Sequence, residues 1–260
     1  MYENALRAGV ERGELQIGTW VNMVRNPAIL TLMKAAGLDF ARIDMEHSTP
    51  DFETIADMAV LARALNFPIA VRMPKADRPW ITRLLDAGVW NLHCPQVENK
   101  EHAAEIVAAS RYTPKGTRGM AGRSPASEYA IGGNAMERLA FANKNVFVTV
   151  MFETEAAFKD LDAIASMDGI DCLTVGPTDL AQDMGVFGKP EMGKVLDGMR
   201  DRILAATKKY GKAASMLVNT AEQAKQWKDA GALVLAYKSD VEVLQEGFSK
   251  VTADIKGKKA

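Results

Sequence analysis

The chain is poor in several residue types, and each shortage excludes something. Only two cysteines occur in 260 residues, Cys94 and Cys172. Two thiols cannot make a disulfide framework, and they suit a reducing, cytoplasmic setting. There is no surplus of either charge: 32 basic against 33 acidic residues leave a net charge of −1. That removes the basic footprint of a nucleic-acid binder, although a small anionic substrate needs only local charge. No apolar run approaches the roughly 18 residues of a membrane span, and the N-terminus shows no basic region followed by an apolar stretch. Phosphate-loop and dinucleotide fingerprints are missing, since neither Gly132-Gly133 nor Gly176-Pro177 forms one. Zinc-finger and HExxH spacings are missing too, which speaks against a zinc cage. Histidine is scarce as well, with three in all.

What is present is a regular alternation. Eight short apolar runs read as strands: Gln16–Trp20, Asp39–Asp44, Pro68–Met73, Val89–Cys94, Val146–Phe152, Cys172–Gly176, Ala213–Val218 and Leu233–Tyr237. Helix-period stretches separate them: Pro27–Ala36, Asp51–Leu65, Arg78–Ala87, Lys100–Ser110, Glu155–Ser166, Gly193–Tyr210, Ala221–Ala230 and Val241–Ile255. Gly37, Gly88 and Gly231 read as stops after three of these helices. Eight βα units predict an α/β chain closed as a single-domain (β/α)8 TIM barrel over residues 1–260, with 255–260 as a solvated tail. Residues 111–145 interrupt the rhythm and read as a structureless excursion, of the kind that serves as a functional loop or subunit contact.

In such a barrel, reactive groups collect where the strands end. Those ends carry Trp20, then Asp44-Met45-Glu46-His47, Arg72, His93, Glu153, Gly176-Pro177-Thr178-Asp179, Asn219 and Lys238. Strand alternation turns Phe147, Thr149, Met151 and Glu153 into the barrel, so Glu153 crowns the inward face. Ala70 and Arg72 share the corresponding face of the third strand. Arg42 shares a face with Asp44 and is expected to pair with it. Glu153 and Asp179 suit a hard divalent cation such as Mg²⁺ or Mn²⁺. An N-cap at Asp179 and an ion pair at Glu153 are the alternatives that spacing leaves open. His47 is a candidate general base, in competition with His93; His102 reads as a surface residue. Lys238 reads either as a surface lysine or as a Schiff-base nucleophile.

Taken in order, these segments resemble the HpcH/HpaI aldolase family. The resemblance runs from about Gly18 to Leu244. It is carried by Ile43-Asp44-Met45-Glu46-His47, Val71-Arg72, Leu84-Leu85-Asp86-Ala87-Gly88, Arg111 to Gly119, Phe152-Glu153-Thr154 and Val175 to Leu180, followed by Asp183-Met184-Gly185. It implies a metal-dependent aldolase or lyase that joins pyruvate, as its enolate, to an aldehyde, with a 4-hydroxy-2-oxo acid as substrate. A citrate-lyase-like or acyl-CoA lyase on the same barrel is the alternative. The resemblance implies Glu153 and Asp179 as ligands of Mg²⁺ or Mn²⁺, with Co²⁺ also acceptable. It implies Arg72 at the enolate, His47 as base, Asp86 as the carboxylate orienting His47, and Gly176, Pro177 and Thr178 around the pyruvate carboxylate. Trp20 and Met151 fall on the substrate side. Homohexamers built as trimers of dimers, with the last helix exchanged between subunits, are implied as well, and would account for Val241, Val243, Leu244 and Phe248. The chain departs from the family pattern at Met151, usually glutamine, and at Lys238, usually small. It also departs at Arg42, usually apolar, and at Trp20, Asn22 and Val24 after the first strand. Arg72→Ala is expected to reduce turnover far more than stability.

Overall fold

In a computed structural model, which describes residues 2–129 and 133–257, eight parallel strands close into a barrel. They are β1 (Gln16–Val21), β2 (Phe40–Asp44), β3 (Ile69–Arg72), β4 (Asn91–Cys94), β5 (Phe147–Phe152), β6 (Cys172–Val175), β7 (Ala213–Val218) and β8 (Val234–Ser239). Each strand pairs with its sequence neighbours, and β1 closes against β8 with a register shift between Gly18 and Trp20. All eight expected strands are present to within about two residues at either end.

Around the barrel run α1 (Ala5–Glu11), α2 (Ala28–Ala35), α3 (Phe52–Leu65), α4 (Arg78–Asp86), α5 (Lys100–Ser110) and α6 (Ala135–Asn145). They are followed by α7 (Glu155–Lys159), α8 (Leu161–Ala165), α9 (Pro177–Asp183), α10 (Met192–Tyr210), α11 (Ala221–Asp229) and α12 (Asp240–Lys256). Side-chain caps open most of them: Asp51 accepts from the Thr54 amide, Asn99 from His102 and Thr220 from Gln223. Gly37, Gly88 and Gly231 follow helix ends with φ of 88°, 91° and 105°, a backbone state other residues resist.

Four readings change. The 111–145 segment is not structureless: α6 occupies its last third, opened by Asn134, whose side-chain Oδ1 accepts from the Met136 and Glu137 amides. Residues 130–132 lie outside the described residues. The expected Glu155–Ser166 helix is two helices, broken at Asp160, whose carboxylate turns away to accept from the Lys100 amide at 3.0 Å. Two helices were not foreseen, α1 and the short α9 behind Pro177. Finally, Lys256 belongs to α12 rather than to a tail, so the helix runs one residue past its expected end at Ile255, and residues 258–260 lie outside the described residues.

The barrel interior is filled in layers. At its base Leu6 of α1 plugs a cluster with Phe40, Ala70, Phe147, Cys172, Ala213 and Val234. Above that layer lie buried polar groups, among them Arg42, His93, Thr149, Thr174 and Ser215. The aliphatic outer faces of the strands pack against the helices in the larger core. No helix among the described residues is long and apolar enough to cross a membrane.

Candidate active site

The strand ends converge on a cleft of about 430 Å³ at one end of the barrel. Trp20, His47, Arg72, Met151, Glu153, Gly176, Pro177, Thr178 and Asp179 all line it. Nine of the ten site positions expected from the sequence therefore share one cavity.

Asp86 is the exception. It ends α4, which runs antiparallel to the strands and so delivers its last residue to the opposite end of the barrel. There it accepts from Arg118 at 2.7 Å. The expected pairing of Asp86 with His47 is not made within this chain. The carboxylate near His47 is Glu46, with Oε2 3.7 Å from Nε2. The imidazole itself is open to the cleft.

The end of β2 and the end of β3 are locked together. Asp44 takes both Nε and Nη2 of Arg72 at 2.8 Å, a two-pronged ion pair. Glu46 Oε2 lies 3.3 Å from Arg72 Nη1. Burial pushes the Asp44 carboxyl up. The Arg72 bonds, with the Glu46 and His47 amides, more than reverse this and hold it below its ordinary value. Arg42 does not pair with Asp44 as expected, because Arg72 already saturates that carboxylate. Arg42 bonds Ser215 Oγ at 3.0 Å instead.

Glu153 directly follows β5, buried, and accepts the Gln96 amide at 2.6 Å. A Cβ on Gly176 would stand 2.3 Å from Glu153 Oε1, so only glycine leaves room for the carboxylate here. Burial raises the Glu153 pKa to about 7. The Gln96 amide opposes that rise, and the nearby Glu46 and Asp179 carboxylates add to it. Asp179 sits in the first turn of α9 rather than at its cap. Two carboxylates thus share one wall of the cleft.

Other groups were not singled out by sequence reading. Gln96, at a left-handed φ of 50°, ties the site together through its amide to Glu153 and its side chain to Glu46 Oε1 at 3.0 Å. Asp240, buried at the start of α12, accepts the amides of Asn22, Met23 and Val24 at 2.8–3.1 Å and so pins the loop after β1. A lone Asp after a strand resembles any helix-opening acid, so nothing in the sequence marked it. Asp240→Ala would leave those amides unpaired. We expect a cost of about 2–3 kcal/mol and a Tm lower by roughly 5–8 °C, with a raised KM because Trp20 and Asn22 line the cleft. Thermal melting and steady-state kinetics check this.

His93 is fully enclosed, edge-on to Trp20 with ring centroids 5.5 Å apart. Burial, reinforced by Arg42 and Arg72, pushes its pKa well below the usual value, so it stays neutral and lies outside the cleft lining. His102 bonds the Ala76 carbonyl at 3.0 Å and is half-buried rather than a free surface group. Lys238 lines the cleft but pairs with Glu246, which raises its pKa and works against a neutral nucleophilic amine.

A barrel with acidic, basic and imidazole groups gathered at the strand ends defines an α/β-barrel enzyme site. Residues 16–246 match the family model of the HpcH/HpaI aldolase/citrate lyase group, and the chain belongs to that family. It is 32% identical to a 5-keto-4-deoxy-D-glucarate aldolase of Shigella boydii serotype 18 over 260 residues, covering 98% of each chain. It is 30% identical to the enzyme of that name in Klebsiella pneumoniae, over 96% of each. Among solved structures, an HpcH/HpaI aldolase of Desulfitobacterium hafniense superposes with a TM-score of 0.90 at 29% identity, covering 98% of each chain. The chain is accordingly a carbon–carbon lyase.

Proposed function

We propose that the chain is a divalent-metal-dependent aldolase whose substrates are 4-hydroxy-2-oxo acids, cleaved to pyruvate and an aldehyde. The observation that carries this reading is the placement of Glu153 and Asp179 on one wall of the cleft that also holds Arg72 and His47.

The residues fit a hard cation. Two carboxylates on one wall of the pocket are the donor set that Mg²⁺ or Mn²⁺ takes, with waters and substrate oxygens completing the shell; Co²⁺ accepts the same donors. Among the described residues no group of three or more His, Cys, Asp or Glu gathers to hold a metal ion, so an all-protein cage of the zinc type is not offered. Glu153 and Asp179 would hold the cation, which supplies Lewis-acid polarisation of the 2-oxo group when bound.

The chain's own residues account for the rest. His47 takes the proton of the C4 hydroxyl; the C3–C4 bond breaks, the aldehyde leaves, and the electron pair stays on the three-carbon fragment as an enolate. Arg72, fixed by Asp44 and Glu46, presents its guanidinium to the oxygen where that charge develops. Protonation at C3 gives pyruvate. Glu46, rather than Asp86, is the carboxylate within this chain that can steady the His47 imidazole. Gly176, Pro177 and Thr178 form the backbone edge of the cleft next to Asp179, suited to the substrate carboxylate.

A retro-aldol assay on 4-hydroxy-2-oxo acids checks the reading. Activity is expected to vanish in EDTA and return with added Mg²⁺ or Mn²⁺. Full activity in EDTA, or cleavage of thioesters alone, would contradict it, the latter in favour of an acyl-CoA lyase.

We also infer that a second copy of the chain covers α12. Only Asp240 of that helix is buried, while Phe248 is 69% and Ile255 78% exposed beside Val243, Leu244 and Val251. An apolar helix face left in water is the mark of an association surface, consistent with a trimer-of-dimers homohexamer. Phe248→Glu is expected to lower the particle mass measured by light scattering; an unchanged mass would overturn the assignment.

A further inference from the structure

Arg72 and Arg42 stand over the same Trp20 ring, with their guanidinium carbons 4.7 and 5.1 Å from its centroid. Their electrostatic situations differ. The charge of Arg72 is taken up by Asp44 and Glu46. Arg42 makes no ion pair among the described residues. Its one hydrogen bond goes to a neutral hydroxyl, Ser215 Oγ, and its Nε has no partner at all. It is 3% exposed, yet it lines the cleft from below, beside Thr174 and Met151.

A buried charge without a counterion is costly, and a fold retains one only against a compensating gain. Burial, opposed by the nearby Cys172 and aided by the neighbouring Arg72, lowers the Arg42 pKa to about 10, so the group is still charged at neutral pH. The Phe40 and Trp20 rings offer it only their faces. Every other cation in the cleft has an acid partner: Arg72 as above, and Lys238 on Glu246. An anion entering the cleft therefore meets one unneutralised positive charge, at the floor.

We propose that Arg42 is the anion-binding group of the cleft floor, and that it shares with the Gly176–Thr178 backbone edge the carboxylate of a small 2-oxo acid. The identity of that anion rests on the function proposed above; the presence of an anion site does not. Arg42 is thus a binding residue that selects an ionised donor over a neutral one.

The test measures binding of pyruvate, and of its neutral methyl ester, to the full-length protein with saturating Mg²⁺. Parent, Arg42→Met and Arg42→Lys are compared, and thermal melts accompany each. Arg42→Met is expected to weaken pyruvate at least ten-fold, roughly the scale of one lost charge-assisted hydrogen bond. The ester should be unaffected, and Arg42→Lys should recover most of the loss. The methionine variant should melt no lower than the parent, because a buried unpaired charge has gone. A purely structural arginine gives the reverse: a lower melt, with both ligands weakened alike or neither changed. That outcome, or a parent that fails to bind pyruvate, overturns the proposal. Exchange of the pyruvate methyl protons with D₂O reports separately on the aldolase reading. Exchange with unchanged pyruvate affinity in Arg42→Met sinks the anion site and spares that reading. No exchange, with affinity lost in Arg42→Met, does the opposite.

Discussion

Glu153→Gln is expected to lower turnover by about a thousand-fold or more while leaving the fold as stable as before. On the function proposed above, the carboxylate is one of two that hold the cation, and losing a charge that acts on the developing enolate costs several kcal/mol of barrier. Each 1.36 kcal/mol is a factor of about ten. Stability should not suffer, because the glutamine oxygen can still accept the Gln96 amide and the site loses a carboxylate that burial already disfavours. A glutamine variant that melts normally but turns over at the parent rate would show Glu153 to be a structural acceptor only.

Arg72→Ala is expected to damage both turnover and stability, and here the structure alters what the sequence suggested. An arginine at a strand end reads as a catalytic group whose removal spares the fold. In the structure it neutralises two carboxylates, Asp44 and Glu46, whose side chains are 1% and 6% exposed. Removing one partner of a buried ion pair leaves uncompensated charge and costs about 3–5 kcal/mol, a Tm loss of roughly 10 °C. The double variant Arg72→Met with Asp44→Asn should recover much of that stability and none of the turnover, which separates the two roles. The pH dependence has a definite sign. The Asp44 pKa lies below its ordinary 3.8, so the pair contributes fully above that value and is lost as pH falls through the folded-state pKa. The gap in stability between parent and Arg72→Ala should therefore narrow in acid.

Local signals account for what could be read in advance. Strand and helix periods, with glycine stops, sufficed for the eight βα units because each unit repeats one pattern. The inward face of β5 followed from alternation alone, and with it the position of Glu153. The failures involve contacts between distant segments. Asp86 lies within a motif, but α4 carries it to the far end of the barrel, where Arg118 claims it. Arg42 and Asp44 share a face of β2, yet the registration of β2 with β3 sets Asp44 opposite Arg72. Asp240 and Gln96 organise the rim through backbone amides, a role that leaves no pattern in side-chain chemistry. The α6 helix hid behind a Ser/Gly/Asn-rich approach, although Asn134 followed by alternating apolar residues was a usable start signal.

The near-neutral total charge conceals a sorted interior: an acidic wall at Glu153 and Asp179, a neutralised arginine at Arg72 and an unneutralised one at Arg42. The central claim is that the acidic wall holds a cation on which enolate formation depends. The most direct measurement is loss of the pyruvate methyl proton signal in D₂O, followed by NMR with no aldehyde present. The parent should exchange with Mg²⁺ or Mn²⁺ added, stop in EDTA, and fail to exchange as Glu153→Gln under any condition. Exchange that persists in EDTA, or in the glutamine variant at the parent rate, would contradict it.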